Sequence, residues 1–152
     1  MERRFSTAPV ALETRDEGES PKITGSGVVF YDGTERTEYE LWTNAVERIN
    51  PAAFDKALAD NQDVRGLFNH APSHLLGRTS AGTMRLIKTA TGLDYEIDPP
   101  DTSTGRDVTE SLKRKDITGS SFSFIPTDER WFTEGEKEVR EILSVQLFDV
   151  GP

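Results

Sequence analysis

The chain has no cysteine. That absence removes disulfides, thiolate nucleophiles and cysteine-ligated zinc from consideration. Histidine is almost as scarce. His70 and His74 are the only two, so any imidazole chemistry falls on one of them. Their i, i+4 spacing would suit two metal ligands on a helix, but Pro72 lies between them and breaks the helix. No metal and no cofactor is expected. No apolar run approaches the ~20 residues of a membrane-spanning helix, and the opening MERRFSTAPVALETR lacks an apolar stretch of signal-peptide length. The expectation is therefore no membrane partner and a cytoplasmic location. Positive charge is in deficit, with 18 Lys and Arg against 27 Asp and Glu and a net charge of −9. A nucleic-acid partner, whose phosphates demand a basic footprint, is not expected.

What is present suits one domain over residues 1–152, with an N-terminal strand and a turn or linker in residues 1–22. A chain of this length can bury roughly 70% of the surface its unfolded form exposes. APVALETR reads as a first strand and DEGESP as an exposed acidic turn. KITGSGVVFY follows as a strand in which Gly25 and Gly27 mark a bulge or close packing. NPAAFDKALADN reads as a helix, with Asn50 as cap and Pro51 in its first position. DVRGLFNH reads as a strand ending at His70. TMRLIKTATGLDYEID reads as two strands joined by TATG. A second helix is expected from Gly105 to Lys113, with Val108 and Leu112 on one face. The strand ITGSSFSFIP and a hairpin turning at Glu134–Gly135 complete the chain. Many short strands with two helices predict a mainly β fold, closed into a barrel with the helices outside.

Period-two alternation sorts the serines of DITGSSFSF. Phe122 and Phe124 share one face with Ser120, and Ser121 and Ser123 share the other. In the last strand, Leu143, Val145 and Leu147 form an apolar stripe, and Asp149 is in phase with it. A carboxylate in that position either reaches solvent at the strand end or has a partner, such as an imidazole or an arginine. For the histidines a solvated loop position stands beside a catalytic one. A serine on a strand, a histidine at a strand end and an aspartate at another strand end are the residue types of a nucleophile, its base and the group that orients the base. As composition alone this is common, and a carboxylate-pair hydrolase has no distinctive motif here.

The order of ERINPAAFDKAL, VRGLFNHAPSHLLGRTSAGTMRL, GLDYEIDPPDTSTGRDVTESLKRKDITGSSFSF and LFDV resembles the prohead maturation proteases of tailed bacteriophages. The likeness runs from about Gly25 to the end. This family is similar in fold to the herpesvirus assembly proteases. The resemblance implies a serine endopeptidase on a closed, herpesvirus-protease-like β-barrel. It would cut the phage major capsid protein and scaffold segment, and itself, inside the immature shell in the host cytoplasm. It also implies a catalytic set of Ser121, His70 and Asp149, with Ser120 and Ser123 as bystanders. The herpesvirus relatives use a second histidine as third member, which makes His74 the alternative to Asp149. Activity dependent on self-association is a further expectation of the family. Ser120 stands where the family often has Met, Ser123 where it often has Gly, and Gly151 where Ser is usual. Family members typically continue past the position of Pro152, so a shortened C-terminus is one reading. Arg78, after the histidine segment, is expected to form a structural ion pair. The rival reading is a non-catalytic capsid-assembly module that keeps the protease fold.

Overall fold

The structure is a computed structural model that describes residues 1–6, 8–13 and 18–152. Part of the expected acidic turn, residues 16 and 17, lies outside the described residues, as does the end of the first expected strand, residues 14 and 15.

The described strands form two sheets. The larger runs β1 (Glu2–Ser6), β10 (Ser120–Glu134), β11 (Lys137–Gly151), β5 (Ala45–Ile49) and β4 (Tyr39–Trp42). The short pair β6 (Arg65–Leu67) and β7 (Leu75–Arg78) joins it at the end of β11. The smaller sheet runs β2 (Val10–Glu13), β3 (Lys22–Val29), β9 (Gly92–Ile97) and β8 (Met84–Lys88). Pairing is antiparallel except where β11 meets β5 and β6. The fold is mainly β, as expected, with two α-helices. The closed barrel is not found: among the described residues the two sheets do not pair edge to edge into one cylinder.

One apolar core joins the sheets. Ile23, Val28, Leu93, Tyr95 and Ile97 from the smaller sheet meet Phe122, Phe124, Ile142, Val145 and Val150 from the larger. Gly25 and Gly27 let the layers approach. A Cβ on Gly25 would lie 2.4 Å from Tyr95 Oη, and one on Gly27 would lie 2.3 Å from Val150 Cγ2. The pairing of β3 with β9 also slips between Ser26 and Val28, so bulge and close packing occur together. Both expected hairpin turns are present. β8 and β9 are joined through Thr89–Thr91, and β10 turns into β11 at Gly135, whose φ of +62° lies in the region glycine enters without strain.

Helix α2 (Ser103–Lys113) begins two residues before the expected start, because Thr102 caps it by accepting the Gly105 N–H at 3.1 Å. Val108 and Leu112 are buried, as their spacing predicted. Helix α1 (Asp55–Ala59) is shorter than NPAAFDKALADN suggested. Asn50 still accepts the Ala52 N–H at 2.9 Å, but Pro51–Phe54 forms a turn that drives Ala53 and Phe54 fully into the core.

Strand β1 is held by charge as well as by its pairing with β10. Arg4 donates to both carboxylate oxygens of the fully buried Glu47, at 2.8 and 2.7 Å. Arg140 donates to Glu2 at 2.7 and 2.8 Å. The Arg140 guanidinium, aided by Arg4, holds the Glu2 carboxyl down at about 2. Arg140 also reaches the buried Glu47 at 3.2 Å, and a buried carboxylate with two guanidinium partners fixes the strand's register, because a slip would strand a charge in the core.

Phe122 has no exposed surface and packs on Phe124, Tyr39 and Phe54, with ring centroids 5.1, 6.1 and 6.1 Å away. Phe122→Ala removes these contacts at the centre of β10. Equilibrium urea unfolding should show a loss of about 3–5 kcal/mol, read as a lower midpoint with an unchanged slope.

Candidate active site

The β10–β11 ladder is where the sequence pattern and the structure part company. Phe122 pairs with Val150 and Ser123 with Asp149, but Phe124 pairs with Leu147. Phe148 is left without a partner, as in a β-bulge. Directly paired residues of an antiparallel ladder point to the same face. Leu147 therefore faces the core with Phe124, and Val150 faces it with Phe122. Asp149 lies on the opposite face with Ser123. The expected stripe of Leu143, Val145, Leu147 and Asp149 is corrected accordingly. Another irregularity, between the Asp128–Ser144 and Glu129–Ile142 pairs, skips Leu143 and turns Ile142 inward instead.

His70 reaches that same face from a tight turn. The chain leaves β6 through a 3₁₀ turn (Phe68–His70), rather than remaining a strand to His70 as expected. Asn69 and His70 both adopt left-handed backbone, with φ of +51° and +57°. Two successive non-glycine residues in that region store strain, which the surroundings must hold. Several backbone bonds do so. Asn69 N–H donates to the Pro152 carbonyl at 3.0 Å, Phe68 N–H to the His74 carbonyl at 3.0 Å, and Ala71 N–H to the Phe68 carbonyl at 3.1 Å. Gly151 permits the close approach, since a Cβ there would lie 2.4 Å from the Leu67 carbonyl oxygen.

The result is a buried imidazole facing a buried carboxylate. His70 Nδ1 lies 2.5 Å from Asp149 Oδ1, and the Ser123 hydroxyl oxygen lies 2.9 Å from the same nitrogen. Nδ1 carries at most one proton. When it donates that proton to the carboxylate, the stronger acceptor, it has no lone pair left to take a proton from Ser123. Ser123 can then act only as a second, weaker acceptor of the same N–H. The ring's basic lone pair is on Nε2. Among the described residues, Nε2 is the one buried side-chain nitrogen or oxygen without a hydrogen-bond partner. An orphaned buried polar atom costs about 1–3 kcal/mol, so it calls for an explanation.

The structure thus brings His70 and Asp149 together. It places Ser121 on the same face of β10, one pleat repeat from Ser123, with its side chain nearly buried. The Ser121 hydroxyl makes no hydrogen bond with the described residues, His70 included. Ser120 is accounted for on the other face, where its hydroxyl lies 2.7 Å from Tyr95 Oη in the core. His74 is exposed, its ring tilted against Phe68 at 6.1 Å, and it makes no contact with the far side of the His70 ring. Arg78 pairs with Asp63, donating from Nε at 2.8 Å, which is the structural ion pair expected. No group of three or more potential metal ligands occurs among the described residues. No helix among them is long and apolar enough to cross a membrane.

Two features were missed from sequence. One is Ser123, which touches the imidazole. The other is Phe5, which is paired with Ser121 and whose ring meets His70 edge-on at a centroid distance of 6.2 Å. The serine alternation signalled the first. Nothing short of the β1–β10 pairing signals the second.

A paired imidazole and carboxylate beside a serine-bearing strand is the setting in which a family assignment can be weighed. Residues 9–152 match the model of the caudovirus prohead serine proteases. The chain belongs to that family. Its role is therefore proteolytic, in the maturation of the phage prohead. Searches of curated proteins and of solved structures gave no significant match. The residues that bind the prohead protease's His70 turn to β11 lie within the matched span, whereas β1 lies outside it.

Gly151→Ala tests how that turn is held. The added methyl meets backbone rather than a flexible side chain, so β11 and the His70 turn must separate. The expected outcome is a loss of about 1–3 kcal/mol of stability, measured by urea unfolding, together with a change in the His70 ring NMR resonances.

Proposed function

We propose that this prohead protease is a serine endopeptidase that uses Ser121 as nucleophile, His70 as general base and Asp149 as the group that orients the base. The supporting observation is the division of labour on the imidazole. Nδ1 is engaged by Asp149, and Nε2 is buried and unpartnered. A general base needs its free nitrogen directed at the proton it removes, with the opposite nitrogen fixed. The strand pairing sets Ser121 and Ser123 on the imidazole's face of β10, and Ser123 is held at the wrong nitrogen. Hydrogen bonds of catalytic groups are often long before substrate binds and tighten in the complex. The mechanism requires the Ser121 hydroxyl to come within hydrogen-bond reach of His70 Nε2.

In this mechanism Ser121 Oγ attacks the scissile carbonyl carbon as its proton passes to His70 Nε2. The resulting imidazolium is stabilised by Asp149 through Nδ1–H. His70 then returns the proton to the departing amine nitrogen, leaving an acyl-enzyme on Ser121. Water, deprotonated by the same nitrogen, releases the acyl group and restores the serine. The substrates are the major capsid protein and its scaffold segment inside the immature shell, and the protease's own chain.

A second reading has one observation in its favour: Ser123, not Ser121, is the serine in contact with His70. The proton count at Nδ1 argues against it, and substitution separates the two. Ser121→Ala and His70→Ala should each lower cleavage of capsid protein by about 10⁴-fold or more, and Asp149→Asn by about 10⁴-fold. Ser123→Ala should keep most activity. Loss of fluorophosphonate labelling in Ser123→Ala, with labelling retained in Ser121→Ala, would reverse the assignment. No labelling in folded, shell-assembled protein would favour a non-catalytic assembly module.

A further inference from the structure

Ser121 borders a recess of about 430 Å³ that lies between β1, the start of β10, the His70 turn and Pro152. Several of its lining groups are polar, and two of these are already engaged. The Ser6 hydroxyl oxygen accepts the Ala8 N–H at 3.1 Å, and the Ser120 hydroxyl lies 2.7 Å from Tyr95 Oη. Asn69 and Thr118, both exposed, also line the recess. Neither side chain makes a hydrogen bond with the described residues. Of the two, Asn69 is the better held. It immediately precedes His70, and its backbone N–H donates to the Pro152 carbonyl at 3.0 Å, whereas Thr118 lies in the segment before β10, outside any helix or strand. At φ of +51° Asn69 occupies backbone that glycine would enter without strain. Asn44 and Asn61 share that region of backbone and do not line the recess, so backbone fit is one reason for an asparagine. An unpartnered carboxamide bordering the same space as the nucleophile is a second and independent one.

We infer that the Asn69 side-chain amide is an oxyanion donor of this protease, its Nδ2–H bonding the scissile carbonyl oxygen as negative charge develops there. The inference rests on the assignment of Ser121 as nucleophile. As Ser121 Oγ bonds to the carbonyl carbon, its proton passes to His70 Nε2 and the carbonyl π electrons move onto oxygen. A fixed N–H donor binds that oxyanion more strongly than it binds the neutral carbonyl, so the interaction lowers the barrier rather than merely holding substrate. On collapse the electron pair returns, the C–N bond breaks, and the amine nitrogen takes the proton from His70. Asn69 keeps its own protons throughout. The nucleophile's own backbone N–H is poorly available for this role. Ser121 is paired on both sides, with Phe5 of β1 and with Gly151 of β11, and the N–H of a strand paired on both sides is taken up by the ladder. A side-chain donor outside the sheet meets the need without breaking a strand pairing.

Asn69→Gly separates the two reasons for the asparagine, because glycine keeps the left-handed backbone and removes only the carboxamide. Cleavage of the major capsid protein is measured up to saturation, with folding checked by urea unfolding. In Asn69→Gly kcat should fall about 10²–10³-fold with KM unchanged, the pattern of an interaction made only in the transition state. Asn69→Asp, of the same size but without the N–H donor, should fall at least as far. Thr118→Val should keep most activity. With Ser121→Ala inactive, wild-type cleavage by Asn69→Gly or Asn69→Asp overturns the oxyanion assignment and leaves the nucleophile standing. So does the loss appearing in Thr118→Val instead, or a raised KM at unchanged kcat in Asn69→Gly. If Ser121→Ala still cleaves capsid protein, the nucleophile and its oxyanion donor fail together.

Discussion

An imidazole is a directional base only when one of its nitrogens is held, and here the hold comes from Asp149 at 2.5 Å from Nδ1 of His70. That contact depends on which face of β11 the carboxylate occupies. Strict alternation would point Asp149 into the apolar core with Leu147. The bulge at Phe148 turns the last residues of the strand over, so that Val150 takes the core position and Asp149 takes the serine face. A bulge costs a ladder hydrogen bond and gains a change of side-chain direction. In this sheet that change sets the buried carboxylate against the ring instead of among phenylalanines, where an unpaired charge would cost several kcal/mol.

The histidine side of the contact is secured by a different means. Its turn is strained at two consecutive residues, and β11 supplies the support. Pro152 accepts the Asn69 N–H, and Gly151 leaves room for the Leu67 carbonyl. The last residues of β11 and the Pro152 that follows thus place the carboxylate and hold the imidazole's backbone. Their partner strand β10 presents Ser121 and Ser123 on that face, with Phe122 and Phe124 anchored in the core behind them. Because both phenylalanines are fully buried in the apolar core, the strand cannot slip by one residue without turning them onto the imidazole's face and setting the serines among the core side chains.

Much of this was legible in the sequence, where the physics is local. The phenylalanine–serine alternation gave the faces of β10, the Val108–Leu112 spacing gave the second helix, and Glu134–Gly135 gave the hairpin turn. Gly25 and Gly27 announced a close approach that Tyr95 and Val150 make. What stayed hidden was set by pairing between distant segments. The bulges at Phe148 and Leu143 break a period that reads as continuous in VREILSVQLFDV, since nothing local distinguishes a bulged residue from a paired one. The proximity of Ser123 to Nδ1 brings together residues 53 apart in the chain, and the position of Phe5 beside Ser121 follows from strand register between segments more than a hundred residues apart. The closed barrel was expected both from the many short strands and from the fold likeness, and among the described residues the strands form two sheets with no closed barrel found.

The central claim is that Asp149 fixes the tautomer of His70, leaving Nε2 as the free base. Nitrogen-detected NMR of the two histidine rings tests this most directly. The account predicts that neutral His70 carries its proton on Nδ1, with a strongly deshielded N–H resonance that disappears in Asp149→Asn and persists in Ser121→Ala. A neutral His70 protonated on Nε2, or an Nδ1–H signal indifferent to Asp149→Asn, would contradict it.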